Sequence, residues 1–223
     1  MLESEELIDA VKRGDGARIA SLLDETPSLL DAEGAHGVSA ILLSVYHGHP
    51  EIAEIFVAHG AELDMWEASA TGKLERVREW IREDPRLASR FGPDGHTPLG
   101  LACFFGHREV VRFLLEHGGG LNTPSRNAQK VAPIHAAVAC GDGVILRALL
   151  ERGADVNVRQ EGGFTPLHGA AAGGDTEALS LLLEHGADVT ARTVDGRTAA
   201  DTAKERGHET LAERLLGLEA ERS

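Results

Sequence analysis

Seven glycines set the ruler for this chain. They close short apolar runs at positions 14, 48, 72, 106, 141, 174 and 207, at intervals of 34, 24, 34, 35, 33 and 33 residues. A period of this size, carried along 223 residues, leaves little room for an ordinary globular core. Each unit is too small to bury its own apolar face and must bury it against the next, so the chain has to stack as an array. One interval is shorter than its neighbours by about nine or ten residues, and that defect is as informative as the period.

Three segments display the plan: GHTPLGLACFFGHREVVRFLLEHGGGLN from Gly95, KVAPIHAAVACGDGVILRALLERGADVN from Lys130 and GGFTPLHGAAAGGDTEALSLLLEHGADV from Gly162. In TPLH the Thr suits a helix cap and the Pro suits the first turn, where its missing N–H costs nothing. The Ala-rich run makes a thin helix that neighbours can approach closely. A glycine then ends it, where a left-handed residue is wanted. A second helix follows, with apolar residues at helical spacing such as Val110, Val111, Leu114 and Leu115.

On these residues the chain resembles the ankyrin-repeat family. The marks are TPLG at 97–100, APIH at 132–135, TPLH at 165–168 and GAD at 153–155 and 186–188. The resemblance covers nearly the whole chain. It implies an all-α repeat solenoid of seven helix-pair units with short β-hairpin fingers, and a single domain over 1–223. The units are an N-terminal cap over 1–34, internal units over 35–64, 65–91, 92–124, 125–157 and 158–190, and a C-terminal cap over 191–223.

The short interval falls at the third unit. There Gly60-Ala61-Glu62-Leu63 runs straight into the next helix, so the finger is missing and Asp64 can cap the helix in place of Thr. Aligning Gly72 with Gly106 puts Trp66 at the His of TPLH and Trp80 at Leu114, which makes Trp80 a core residue. Trp66 has two readings: its ring fills the space of the missing finger, or it lines a notch that takes a ligand. The segment 122–131, which leads into the fifth unit, is two residues longer than the standard finger. Such an insertion either reaches a ligand or is a harmless surface loop.

Partners of ankyrin-repeat proteins usually bind the concave side, made of finger tips and the exposed ends of the first helices. Carried onto this chain, those positions give Tyr46, His47, Phe104 and Phe105 at helix ends and His96, Val131 and Phe164 at fingers, with Trp66 flanking the gap. Aromatic side chains in places a soluble helix would make polar suit interface anchors. Alternatively, one of the Phe pair turns inward or packs beside Trp66.

Charge and composition narrow the partner. Net charge is −14, with 22 basic against 36 acidic side chains, so a nucleic-acid backbone is a poor match. Residues 1–33 alone carry nine acidic and three basic side chains, either a solvated end or a docking face for a basic partner. No apolar run approaches the ~20 residues of a membrane span, and the acidic N-terminus is unlike a secretory signal. Two cysteines in unrelated contexts point to a reducing cytoplasm. Arginine outnumbers lysine eighteen to four, a hint of a GC-rich bacterial genome or a thermophile. Nothing demands more than a monomer.

The eleven histidines follow the repeat and not a metal-ligand pattern such as CxxC or HExxH. GAAAGGDT at 169–176 has Asp175 where a phosphate loop needs lysine. No nucleophile–base arrangement stands out, so no catalytic residue, cofactor or metal is expected. The reading is a non-enzymatic scaffold that binds a protein through its concave face. The alternatives are a small-molecule or ion-binding scaffold using the notch at unit three, and an engineered or thermostable scaffold without a natural ligand.

Overall fold

The computed structural model describes residues 2–221. They form fourteen α-helices in seven successive pairs: α1 (Leu2–Arg13) and α2 (Gly16–Glu25), α3 (Ala40–Tyr46) and α4 (Ile52–Ala58), α5 (Met65–Ala70) and α6 (Leu74–Glu83), α7 (Pro98–Phe104) and α8 (Arg108–Glu116), α9 (Pro133–Cys140) and α10 (Gly143–Glu151), α11 (Pro166–Gly173) and α12 (Thr176–Glu184), α13 (Ala199–Glu205) and α14 (Glu209–Glu221). The first helices stack on one another from α1 to α13, and the second helices form a layer behind them. One apolar core runs through the stack, from Leu7 and Ile19 to Leu211 and Leu215.

Local chemistry sets the helix ends. Thr97 accepts the Gly100 N–H at 3.1 Å and Ser39 the Leu42 N–H at 3.2 Å, while proline opens α7, α9 and α11. All seven closing glycines have φ between 67° and 82°, a region that a side chain makes costly. Over Gly14, Gly72 and Gly174 lie the rings of His49, His107 and His208, which would stand 2.5 Å from any added Cβ. His107 and His208 reach back to the carbonyls of Ala70 and Ala172 in the preceding unit, at 2.7 and 3.3 Å. His59, His117 and His185 bond carbonyls four residues earlier in their own helices.

The connections between units carry the fingers. Fourteen residues join α2 to α3, α6 to α7, α10 to α11 and α12 to α13, and sixteen join α8 to α9. Each keeps a hairpin-type turn, with Gly34 donating to Val38, Gly92 to His96, Ser125 to Val131, Gln160 to Phe164 and Thr193 to Arg197, at 2.8–3.0 Å, and the first has a second rung from the Ala40 N–H to the Ala32 carbonyl at 2.9 Å. Among the described residues the one β-bridge outside strands pairs Glu33 with Ser39. Neighbouring turns are stitched together, the Arg126 N–H to the Gly95 carbonyl, Glu161 to Gln129 and Val194 to Gly162, at 2.8–3.0 Å. The turn at 34–38 stands apart from that row, because only six residues, 59–64, join α4 to α5.

Unit three departs from the expected register in two ways. The Asp64 carboxylate accepts the Glu67 N–H at 2.7 Å and the Glu67 carboxylate accepts the Asp64 N–H at 2.9 Å, a reciprocal capping box. Glu67, not Trp66, therefore takes the role of the motif's His, since α5 is a residue shorter than its counterparts α3 and α7. Trp80 is half-buried, whereas Leu114 is fully buried. The Trp80 indole N–H and the Arg76 Nε–H both donate to the Leu63 carbonyl at 3.0 Å, with the Arg76 guanidinium over the indole ring. The short crossing exposes that carbonyl, and an indole with a polar edge serves it where a leucine has nothing to offer.

Candidate functional site

The break in the row of turns leaves a cleft of 390 Å³, lined by Tyr46, Asp94, His96, Leu101, Phe104, Asn127, Gln129 and Val131. Tyr46 and Phe104 are the last residues of α3 and α7 and are 38% and 43% exposed, unusual for rings of their size. His96 and Val131 end the turns of units four and five. Four of the eight positions read from the sequence thus meet in one place, drawn from units two, four and five across the finger-less third.

Polar groups order this cleft. The Tyr46 hydroxyl donates to Asp94 Oδ2 at 2.6 Å, and the His96 N–H donates to Asp94 Oδ1 at 2.9 Å. The Asn127 amide donates to the Asp94 carbonyl at 3.3 Å and to His96 Nε2 at 2.9 Å. The Tyr46 phenol is held well above its ordinary pKa by burial and then by the Asp94 charge. Burial lowers the His96 pKa against the pull of Asp94, so the imidazole stays neutral. Among the described residues no ion pair includes Asp94; its carboxylate faces the cleft region with hydrogen bonds but no opposite charge.

Two further candidates, Phe105 and Trp66, do not line the cleft but pack close to it. The Phe105 ring lies 5.5 Å from Tyr46 and edge-on to Phe104 at 5.1 Å. With Trp66 it packs on a small apolar cluster of Val38, Leu42, Ala70 and Leu101. The Trp66 ring lies on Gly92, where an added Cβ would come within 2.7 Å, and its N–H donates to the Arg90 carbonyl at 3.3 Å. His47 is exposed beside Tyr46 but outside the cleft lining. Phe164 sits one turn further along, edge-on to His168 and beneath the Arg197 guanidinium, and does not reach the cleft.

Sequence reasoning passed over Asp94, Leu101, Asn127 and Gln129. The signal for two of them was the lengthened segment 122–131. Its residues brace one another, the Ser125 hydroxyl bonding Asn127 Oδ1 at 2.7 Å and the Val131 N–H bonding Ser125 Oγ at 2.8 Å, and Asn127 reaches the neighbouring turn at Asp94 and His96.

Elsewhere the chemistry is quiet. Among the described residues no group of three or more His, Cys, Asp or Glu is placed to hold a metal, and no helix is long and apolar enough to cross a membrane. Burial pushes both the Cys103 and Cys140 thiols up, the opposite of what a thiolate nucleophile needs.

Comparison with known proteins agrees with the repeat fold. The family described as ankyrin repeats (3 copies) matches residues 65–160 and 145–222. Ankyrin repeat and SAM domain-containing protein 6 of Rattus norvegicus is 34% identical over 102 residues, 46% of this chain and 11% of that protein. Rabankyrin-5 of Homo sapiens is 40% identical over 73 residues, 32% of this chain and 6% of the relative. The 26S proteasome non-ATPase regulatory subunit 10 of Homo sapiens is 46% identical over 52 residues, 23% of each. The chain thus spans 11% and 6% of the first two relatives and under a quarter of the third.

Proposed function

This chain belongs to the ankyrin-repeat family, and from that premise we propose that it is a non-enzymatic scaffold that grips a protein partner on its concave side, with the cleft between Tyr46, Asp94 and Phe104 as the grip. The observation that carries the reading is the convergence of side chains from three units on the one break in the row of turns. Phe104 and the Tyr46 ring offer exposed apolar area, and burying each contributes roughly 1.5–3 kcal/mol. Asp94, without an opposite charge of its own, favours a basic side chain, and the −14 net charge draws a basic partner in. Cys103 and Cys140 stay free thiols in this reading, as suits a reducing compartment.

The test compares the wild-type chain with Asp94→Asn and Phe104→Ala as baits, after matching their unfolding temperatures. A protein held by the wild type, released by rising salt and lost from both variants supports the grip. Proteins retained equally by all three baits exclude it. A small molecule in the same cleft is the second reading, because 390 Å³ falls within the roughly 300–1,000 Å³ of ligand pockets. It gains if both variants lose a low-molecular-weight ligand and no protein.

A further inference from the structure

A second cleft, of 540 Å³, is lined by Asp84, Arg86, Ser89, Arg90, Phe91 and Arg126. Three arginines share it with one carboxylate, in a chain whose acidic side chains outnumber the basic ones by fourteen. Arg86 is already spent: its Nε–H and Nη2–H donate to the two oxygens of Asp84 at 2.8 and 3.1 Å. Arg90 and Arg126 form no ion pair among the described residues, so the cleft carries an excess of two positive charges. Like charges gathered in one concavity repel, and an anion seated between them removes that cost.

The Arg126 guanidinium is held in place, and the Arg90 backbone is anchored. The Arg90 main chain is tied by its N–H to Leu87 at 3.2 Å and by its carbonyl to the Trp66 indole at 3.3 Å. The Arg126 N–H is tied to the Gly95 carbonyl at 2.8 Å, and its guanidinium carbon lies 4.0 Å from the Phe91 ring centre. A guanidinium with one face on a ring keeps its N–H edge free for a ligand and has less freedom to lose on binding. Ser89 adds a hydroxyl donor.

We infer that this cleft binds a phosphate group. A phosphate monoester carries about −1.5 to −2 charge at neutral pH and three acceptor oxygens, which matches two guanidinium forks better than a single carboxylate does. The group is either free phosphate or the phosphoryl of a modified serine on a partner, and the same chemistry receives both.

The test is a titration of the full chain, followed by NMR of the arginine Nε–H and backbone amides. The probes are inorganic phosphate, an acetyl-Gly-phosphoserine-Gly amide and its unphosphorylated form, at matched ionic strength. Saturable shifts at Arg90 and Arg126 with either phosphate probe, and none with the unmodified peptide, are expected. Arg90→Gln and Arg126→Gln should each weaken the affinity about ten-fold, while Arg214→Gln, at a remote surface, leaves it unchanged. Tighter binding of the phosphopeptide assigns the site to a modified partner; equal binding assigns it to free phosphate. Shifts that never saturate, or that survive undiminished in both variants, overturn the inference. Arg90→Gln carries the test alone if Arg126→Gln unfolds at a lower temperature, since Arg126 also packs on Phe91.

Discussion

At α9 and α11 a neutral imidazole joins one unit to the next; at α5 a pair of carboxylates, Glu67 buried and Asp64 half-buried, stands in its place. His135 Nδ1 takes the Ala132 N–H at 3.4 Å and its Nε2 meets the Phe164 carbonyl at 3.2 Å, while His168 does the same with Thr165 and Arg197 at 3.2 Å each. One side chain thus caps its own helix and ties down the turn that follows. Asp64 and Glu67 cap α5 equally well, but a carboxylate has no N–H to offer the carbonyls of the 92–96 turn that follows. These two joints are each specified twice. The irregular part leaves Tyr46, Asp94 and Phe104 with surface uncovered, and the proposed grip lies there.

The largest expected effect compares equivalent positions across the two regions. Leu114→Ala should cost about 2–5 kcal/mol in urea unfolding, as for a fully buried leucine. Trp80→Phe keeps a ring and loses only the N–H to Leu63, so about 1 kcal/mol is expected. Equal losses would show that Trp80 is core like its counterpart.

Next comes pH. Burial lowers the pKa of His135 and His168 in the folded chain. Below about 6.5 the unfolded chain takes up protons that the folded one refuses. The stability these residues give is therefore complete above about 6.5 and is lost as pH falls toward their folded pKa, at up to about 1.4 kcal/mol per pH unit for each. Asp64 and Glu67 run the other way: burial raises both, so their share is complete below about 4 and is lost as pH rises through the folded values. Chemical denaturation between pH 7.5 and about 5 should show falling stability in the wild type and a shallower fall in His168→Gln. An unchanged slope would mean that the imidazole relay does not control the acid response.

The smallest effect isolates the His ring over a closing glycine. Gly72 and Gly141 share φ 73°, but an added Cβ meets His107 at 2.5 Å at the first and nothing within 4 Å at the second. Gly141→Ala should cost about 1 kcal/mol from backbone strain alone, and Gly72→Ala measurably more. Thermal unfolding of the pair tells whether the ring can step aside.

Much of this was legible because it is periodic. The closing glycines, the TPLH helices and the short interval at unit three all follow from counting. Tyr46, His96, Phe104 and Val131 followed from applying one template to every unit. The rest needed contacts that no spacing encodes. Asp94 meets Tyr46 across 48 residues of sequence, and Asn127 meets His96 across 31. Trp80 and Glu67 escaped for the opposite reason, since the template assigned them their neighbours' surroundings just where unit three departs from it. Phe164 fits the template and misses the cleft because its own turn is stitched between two others.

Unit three keeps both helices and drops the turn, and the core runs through it unbroken, with Met65, Ala68, Val77 and Ile81 all buried. The stack and its fringe are thus separable modules. An interval shorter by ten residues, 24 against 34, changes the edge where the proposed grip lies while the load on the core passes straight through. For a lineage or an engineer, that makes the fringe the place to write new specificity, one notch at a time, without renegotiating the fold.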